Sequence, residues 1–212
     1  MPDEYSYHSE SNKLLFVLDF SNSMSDYLGG KTKVNQVKDM MNFILPQISP
    51  QTKVGMRVYG HTCNIVAYKA CRSSELVVPL GNNNSRMIFE ELSRLRPRGM
   101  TPITYSLKQA VKKDLSEFGG TKHIILLTDG GENCDESPCD YAIELIKTRK
   151  DIIIDVIAFD VEDSDDLAQL KCTADVTGGN FTEADTRAEL FRSMGDFIIP
   201  HKNVEAQIYK GE

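Results

Sequence analysis

Three short apolar runs, each closed by an aspartate, constrain this chain more than any other feature. They are Leu14–Leu18 before Asp19, Ile124–Leu127 before Asp129, and Ile152–Phe159 before Asp160. The runs are essentially continuous rather than alternating, the pattern of parallel strands covered on both faces. Such strands need helices above and below them, and helical patterns lie between these runs. Val34, Val37, Met40, Met41, Ile44 and Leu45 share one helical face, and Pro46 ends that run. Strands alternating with helices predict an α/β fold, an open, doubly wound, mainly parallel sheet with right-handed crossovers and helices on both faces. Sheets of this kind bind ligands beyond the carboxyl ends of their strands, where the strand order reverses. The three aspartates sit at those ends.

Local signals fill in the rest. Lys53–Tyr59 alternates, with Val54, Met56 and Val58 on one side. Glu75–Leu80 reads as a short antiparallel edge strand, because Pro79 would remove a ladder hydrogen bond anywhere central. A helix is expected from Thr101 as N-cap and Pro102 as first helical residue, and Ser137–Pro138 repeats that start. Gly178–Gly179 stops another helix, and Thr186 with Glu189 forms a capping box that opens the last one. That helix carries an apolar stripe, Leu190, Phe191, Met194, Phe197 and Ile198, expected to pack on the sheet. The reading is one domain over 12–202, with a disordered segment over 1–11 and a tail over 203–212.

Composition narrows the partners. A net charge of -7 argues against nucleic acid or an anionic membrane, since either needs a basic face. No run approaches the roughly 20 apolar residues of a spanning helix, so no direct membrane insertion is expected. The start, MPDEYSYHSESNK, lacks the basic and apolar regions of a signal peptide. Yet Cys63, Cys71, Cys134, Cys139 and Cys172 are many for a cytosolic chain and suggest an oxidising, extracytoplasmic compartment. A processed fragment of a longer protein reconciles the two. Two local bridges are expected, Cys63–Cys71 and Cys134–Cys139, with Cys172 left over. Zinc is disfavoured: there is no C-x-x-C pair, and His61, Cys63 and Cys71 supply one ligand too few.

The chemistry concentrates after the first run. Asp19, Ser21 and Ser23 form D-x-S-x-S, and residues two apart on an extended chain point to the same side, so their oxygens can converge. Asp129 brings a second acid to a neighbouring strand end, with Gly130 and Gly131 allowing a sharp turn. Thr101 adds a hydroxyl at a helix start. Few carboxylates plus hydroxyls and waters make a hard oxygen set that suits octahedral magnesium better than zinc. Each residue also has a plain role: Asp and Ser form turns, Thr101 caps a helix, and Asp129-Gly130 is a turn dipeptide. Arg94, Arg96 and Arg98 lead into Gly99 and Thr101, and read either as helix-end charges or as attraction for acidic partners.

D-x-S-x-S at Asp19–Ser23, Thr101 in G-M-T-P-I, and T-D-G at Thr128–Gly130 together resemble the von Willebrand factor type A domain and its metal-ion-dependent adhesion site. The tracts VYGH, ELVVPLG and GENCDESPC look like its bacterial secreted or periplasmic members. The resemblance implies a Rossmann-like fold in which Asp19 anchors the metal, Ser21 and Ser23 coordinate it, and Thr101 and Asp129 complete the shell directly or through water. It implies Mg2+, with Mn2+ or Ca2+ as substitutes, and a partner protein whose Asp or Glu carboxylate fills the open position, not an enzyme. The alternative is a haloacid-dehalogenase-like phosphohydrolase using Asp19. That family's general acid stands two residues later, where this chain has Ser21, which cannot shuttle a proton as a carboxylic acid does.

Overall fold

The computed structural model describes residues 13–117 and 120–198. The expected disordered segment over 1–11, the tail over 203–212 and the domain limits at 12 and 202 lie outside those residues. The chain begins with β1 (Lys13–Asp19), a ribbon of β2 (Tyr27–Leu28) and β3 (Lys31–Thr32), α1 (Lys33–Ile44) and β4 (Lys53–Tyr59). A short α2 (Ala67–Ala70), β5 (Ser74–Gly81), α3 (Ser85–Arg94), α4 (Ile103–Gln109) and β6 (Lys122–Thr128) follow. The last elements are α5 (Pro138–Leu145), β7 (Ile152–Phe159), α6 (Ser164–Thr177), β8 (Phe181–Ala184) and α7 (Arg187–Ile198).

Six strands form one sheet in the order β5-β4-β1-β6-β7-β8. All neighbours are parallel except β5, which runs antiparallel to β4 at the edge and carries Pro79 there as expected. After β1 the chain moves outward to β4 and β5, then crosses to β6 on the other side of β1. Strand order therefore reverses at β1. The loops after β1 and β6 leave in opposite directions and open a crevice at the carboxyl edge of the sheet.

Alternate residues of β1 serve opposite layers. Leu14, Phe16 and Leu18 pack with Val37, Met40 and Met41 of α1 and with Leu190 and Met194 of α7. Leu15 and Val17 pack with Ile103 and Leu107 of α4 and with Leu170 and Ala174 of α6. The α7 stripe thus divides: Leu190 and Met194 are fully buried, while Phe191, Phe197 and Ile198 are partly buried against the same layer. Arg57 of β4 is buried and forks onto Asp114 with bonds of 2.6 and 2.9 Å, a charge-assisted pair that satisfies both groups.

The bridges differ from the expected local pairs. Cys71 is bonded to Cys134 and Cys139 to Cys172, and the exposed Cys63 is free. Nearness in sequence misleads because Pro138 starts α5 between Cys134 and Cys139. Cys139 is thereby carried onto a helix packed beside α6, which holds Cys172. Cys134 stays in the loop after β6, at the same sheet edge as the loop after β4, which holds Cys71.

Candidate metal centre

Asp19 is the last residue of β1 and has no exposed surface. Its Oδ1 accepts the Ser21 amide at 2.6 Å; its Oδ2 accepts the hydroxyls of Thr128 at 2.7 Å and Tyr59 at 3.2 Å. Beyond Asp19 the chain turns under the strand end: Phe20 N–H still bonds to Tyr59 O, and Ser21 pairs with Gly99. The turn fits because two glycines allow close backbone approach. Gly60 has φ +71°, and a Cβ there would meet Ser21 N at 2.5 Å; a Cβ at Gly99 would meet Thr62 O at 2.7 Å. Ser21 and Ser23 hydroxyl oxygens then lie 3.1 Å apart, and Ser23 Oγ donates to Asp129 Oδ1 at 2.7 Å. Four of the five sequence candidates are therefore linked, from β1 across to β6.

The electrostatics are tense. Burial, then the charge of Asp129, pushes the Asp19 carboxyl up to about 6, although its hydrogen bonds from Ser21 and Thr128 pull the other way. Asp129 is raised by burial and partly relieved by the Ser23 hydroxyl and by Lys33. Its Oδ2 is buried and accepts no hydrogen bond. Lys33 Nζ lies 3.2 Å from that oxygen as an ion pair, and 2.8 Å from Asp160 Oδ2. Among the described residues no three acidic, His or Cys side chains gather to hold a metal. The donor set is instead two carboxylates and several hydroxyls, with one buried carboxylate oxygen met by an ammonium alone, a composition that fits a hard divalent cation.

Thr101 is placed differently. The expected helix cap is not formed: α4 starts at Ile103, with Pro102 as N-cap and no side-chain capping bond. Thr101 is bound to Asn133 instead. Its amide donates to Asn133 Oδ1 at 2.7 Å, and its Oγ1 accepts Asn133 Nδ2 at 3.2 Å. The capping role passes to Glu132, whose Oε2 accepts the Thr104 amide at 2.7 Å. Thr101 makes no hydrogen bond to the other four candidates, but the Ser21–Gly99 pairing and the Asn22 N–H bond to Gly99 O set its segment against theirs.

Lys33, Tyr59 and Asn133 were not singled out by sequence reasoning. Lys33 opens α1 with no charge pattern to mark it, and Tyr59 reads only as the end of an apolar strand. Asn133 sits in GENC, where no spacing ties it to Thr101, 32 positions away. Asp163, in the acidic stretch Asp160–Asp166, caps α6, and Asp166 accepts the Gly131 amide at 3.0 Å, so that stretch anchors the loop after β6.

The sequence model of the von Willebrand factor type A domain matches residues 13–193. The uncharacterized protein YwmC of Bacillus subtilis strain 168 is 30% identical over 178 residues, covering 82% of this chain and 77% of YwmC. Among solved structures, proximal thread matrix protein 1 from the mussel byssus, with a zinc-occupied MIDAS motif, superposes with a TM-score of 0.66 at 19% identity. It covers 88% of this chain but 44% of that one. The PilB minor pilin of Streptococcus sanguinis gives 0.65 at 16% identity, covering 88% of this chain and 60% of that one. This chain thus spans less than two thirds of either structural neighbour, and at those identities the likeness is one of fold. The family match over most of the chain, together with the sheet order and the strand-end motifs, shows that this chain belongs to the von Willebrand factor type A domain family.

Proposed function

We propose that the chain is a metal-dependent protein-binding module. Asp19, Ser21, Ser23, Thr101 and Asp129 hold Mg2+, and a partner protein's Asp or Glu carboxylate completes its shell. Mn2+ or Ca2+ would substitute. The observation that carries this reading is the linked trio Ser21, Ser23 and Asp129 at the point of strand reversal, with Asp129 Oδ2 buried and met by the Lys33 ammonium at 3.2 Å. The metal, when bound, supplies an electrophilic position for a carboxylate. The chain's residues do the rest. Thr128, Tyr59 and the Ser21 amide fix Asp19, Asn133 fixes Thr101, and Lys33 offsets the charge of Asp129.

Two features weigh against the phosphohydrolase alternative. Both Asp19 oxygens accept hydrogen bonds, which blunts a nucleophile, and Ser21 occupies the general-acid position. Two disulfides favour an extracytoplasmic setting. Immobilised protein incubated with cell-envelope extract tests the proposal. A binding protein should be retained with magnesium, released by chelator and absent from the Asp19→Ala column. Retention indifferent to chelator and to that substitution would overturn it.

A further inference from the structure

We propose that residues 61–73 form an apolar ridge beside the metal centre, and that this ridge selects a protein segment whose metal-seeking carboxylate is flanked by apolar residues and further acids. The inference rests on the metal-site reading above and names the partner chemistry of that same site.

The ridge is exposed and apolar. Ile65 is fully exposed, Val66 is 54% exposed and Tyr68 is 64% exposed, all within four residues. Single exposed apolar residues are ordinary, but three together on a fixed segment mark a contact surface. The segment is fixed at both ends, the first packed against the centre and the second tied to it through a disulfide. It starts at Gly60, packed on the Ser21 backbone, and Thr62 O lies against Gly99. It finishes at Cys71, bonded to Cys134, whose neighbour Asn133 holds Thr101. The Thr62 and Ser73 hydroxyls close its base. Arg72 lies over the Tyr68 ring at 4.2 Å and 6.0 Å from that of Tyr105 in α4, which steadies the ridge on the domain.

Charge says what the ridge accepts. The chain carries -7 overall, yet residues 61–73 and 94–101 contain five basic side chains and no acid. Lys69, Arg72, Arg96 and Arg98 among them are exposed, and the Arg98 amide bonds to Phe20 O and Gly60 O at the edge of the centre. At the same sheet edge, residues 129–136 and 160–166 contain nine acids and no Lys or Arg, and Cys134 of the first stretch is bonded to Cys71 of the ridge. A carboxylate arriving at the metal is attracted by Lys69, Arg72, Arg96 and Arg98 and repelled by those acids. Additional acids on the partner are favoured where they reach these four bases, two of which stand beside the ridge's apolar residues. The nine acids also disfavour an anionic lipid surface, the other occupant an apolar and basic ridge could take.

A random twelve-residue peptide library displayed on phage, selected on the immobilised protein with magnesium, tests this. The selected peptides should carry an Asp or Glu with apolar neighbours and a second acid, should lack Lys and Arg beside them, and should elute with chelator. A selected peptide should bind the Ile65→Ser, Val66→Ser double variant about ten-fold more weakly, the worth of roughly one covered aliphatic side chain. Arg96→Ser with Arg98→Ser should weaken the preference for the second acid. Both variants should still bind magnesium as the parent does. Acids enriched with no apolar preference, unchanged affinity for the Ile65→Ser, Val66→Ser protein, or metal-independent sedimentation with phosphatidylserine vesicles would each overturn the proposal. Peptides that ignore chelator, or no magnesium binding by the parent, would instead remove the metal reading and this proposal with it.

Discussion

Asp19 holds its charge against its surroundings. An ordinary aspartate releases its proton near 3.8, and this one near about 6 because it is buried beside Asp129. The folded state therefore binds that proton more tightly than the unfolded state, so stability falls as pH rises from 3.8 through about 6, and the deficit persists above. A bound cation reverses the preference by favouring the ionised carboxylate. In chelator, melting curves across that window should fall more steeply for the parent protein than for Asp19→Asn, and magnesium should remove the difference. Parallel curves would show that Asp19 titrates normally. At this scale the ligand candidates were legible, because D-x-S-x-S and Thr128–Gly130 place their oxygens by spacing alone. Their supports were not. Lys33 meets Asp129 across 96 positions, and Tyr59 meets Asp19 across 40, through β-sheet and helix placement that no local pattern encodes.

Elements decide how firmly the centre is held. The two disulfides enclose 63 and 33 residues, and chain entropy assigns each about 4 kcal/mol. Their positions differ more than their energies. Cys134 adjoins the residue that fixes Thr101, whereas Cys139–Cys172 ties α5 to α6 away from it. Cys71→Ser with Cys134→Ser should weaken magnesium and partner binding. Cys139→Ser with Cys172→Ser should lower the melting temperature comparably and leave magnesium affinity unchanged. Equal loss of affinity in both would deny the tether a local role. On α7, Met194 is fully buried, and Met194→Ala should cost about 2–5 kcal/mol. Phe191 is only partly buried, lying 5.6 Å from the Phe43 ring, so Phe191→Ala should cost less than the Met194 change in denaturant titration. The long strands were readable from their apolar runs. Phe181–Ala184 was not, because four residues at a sheet edge carry too little pattern, and the Thr101 cap failed because Glu132 accepts the Thr104 amide from 28 positions away.

For the whole molecule, topology gathers what sequence scatters. The reversal of strand order at β1 brings residues near 20, 60 and 130 to one edge, since parallel strands share their exit side, and the Ser21–Gly99 pairing draws the segment near 100 to it. The doubly wound class was legible from alternating elements. The disulfide partners were not, since they depend on which loops meet at that edge. The same gathering brings two basic segments, 61–73 and 94–101, and two acidic ones, 129–136 and 160–166, to the surface around the centre. All of this bears on function only if a cation binds. Calorimetric titration of chelator-stripped protein with magnesium tests that directly. The parent should take up magnesium at a single site with a matching rise in melting temperature, and Asp19→Ala should show neither. No binding heat with magnesium or manganese, and one melting temperature throughout, would make the strand-end oxygens a turn and nothing more.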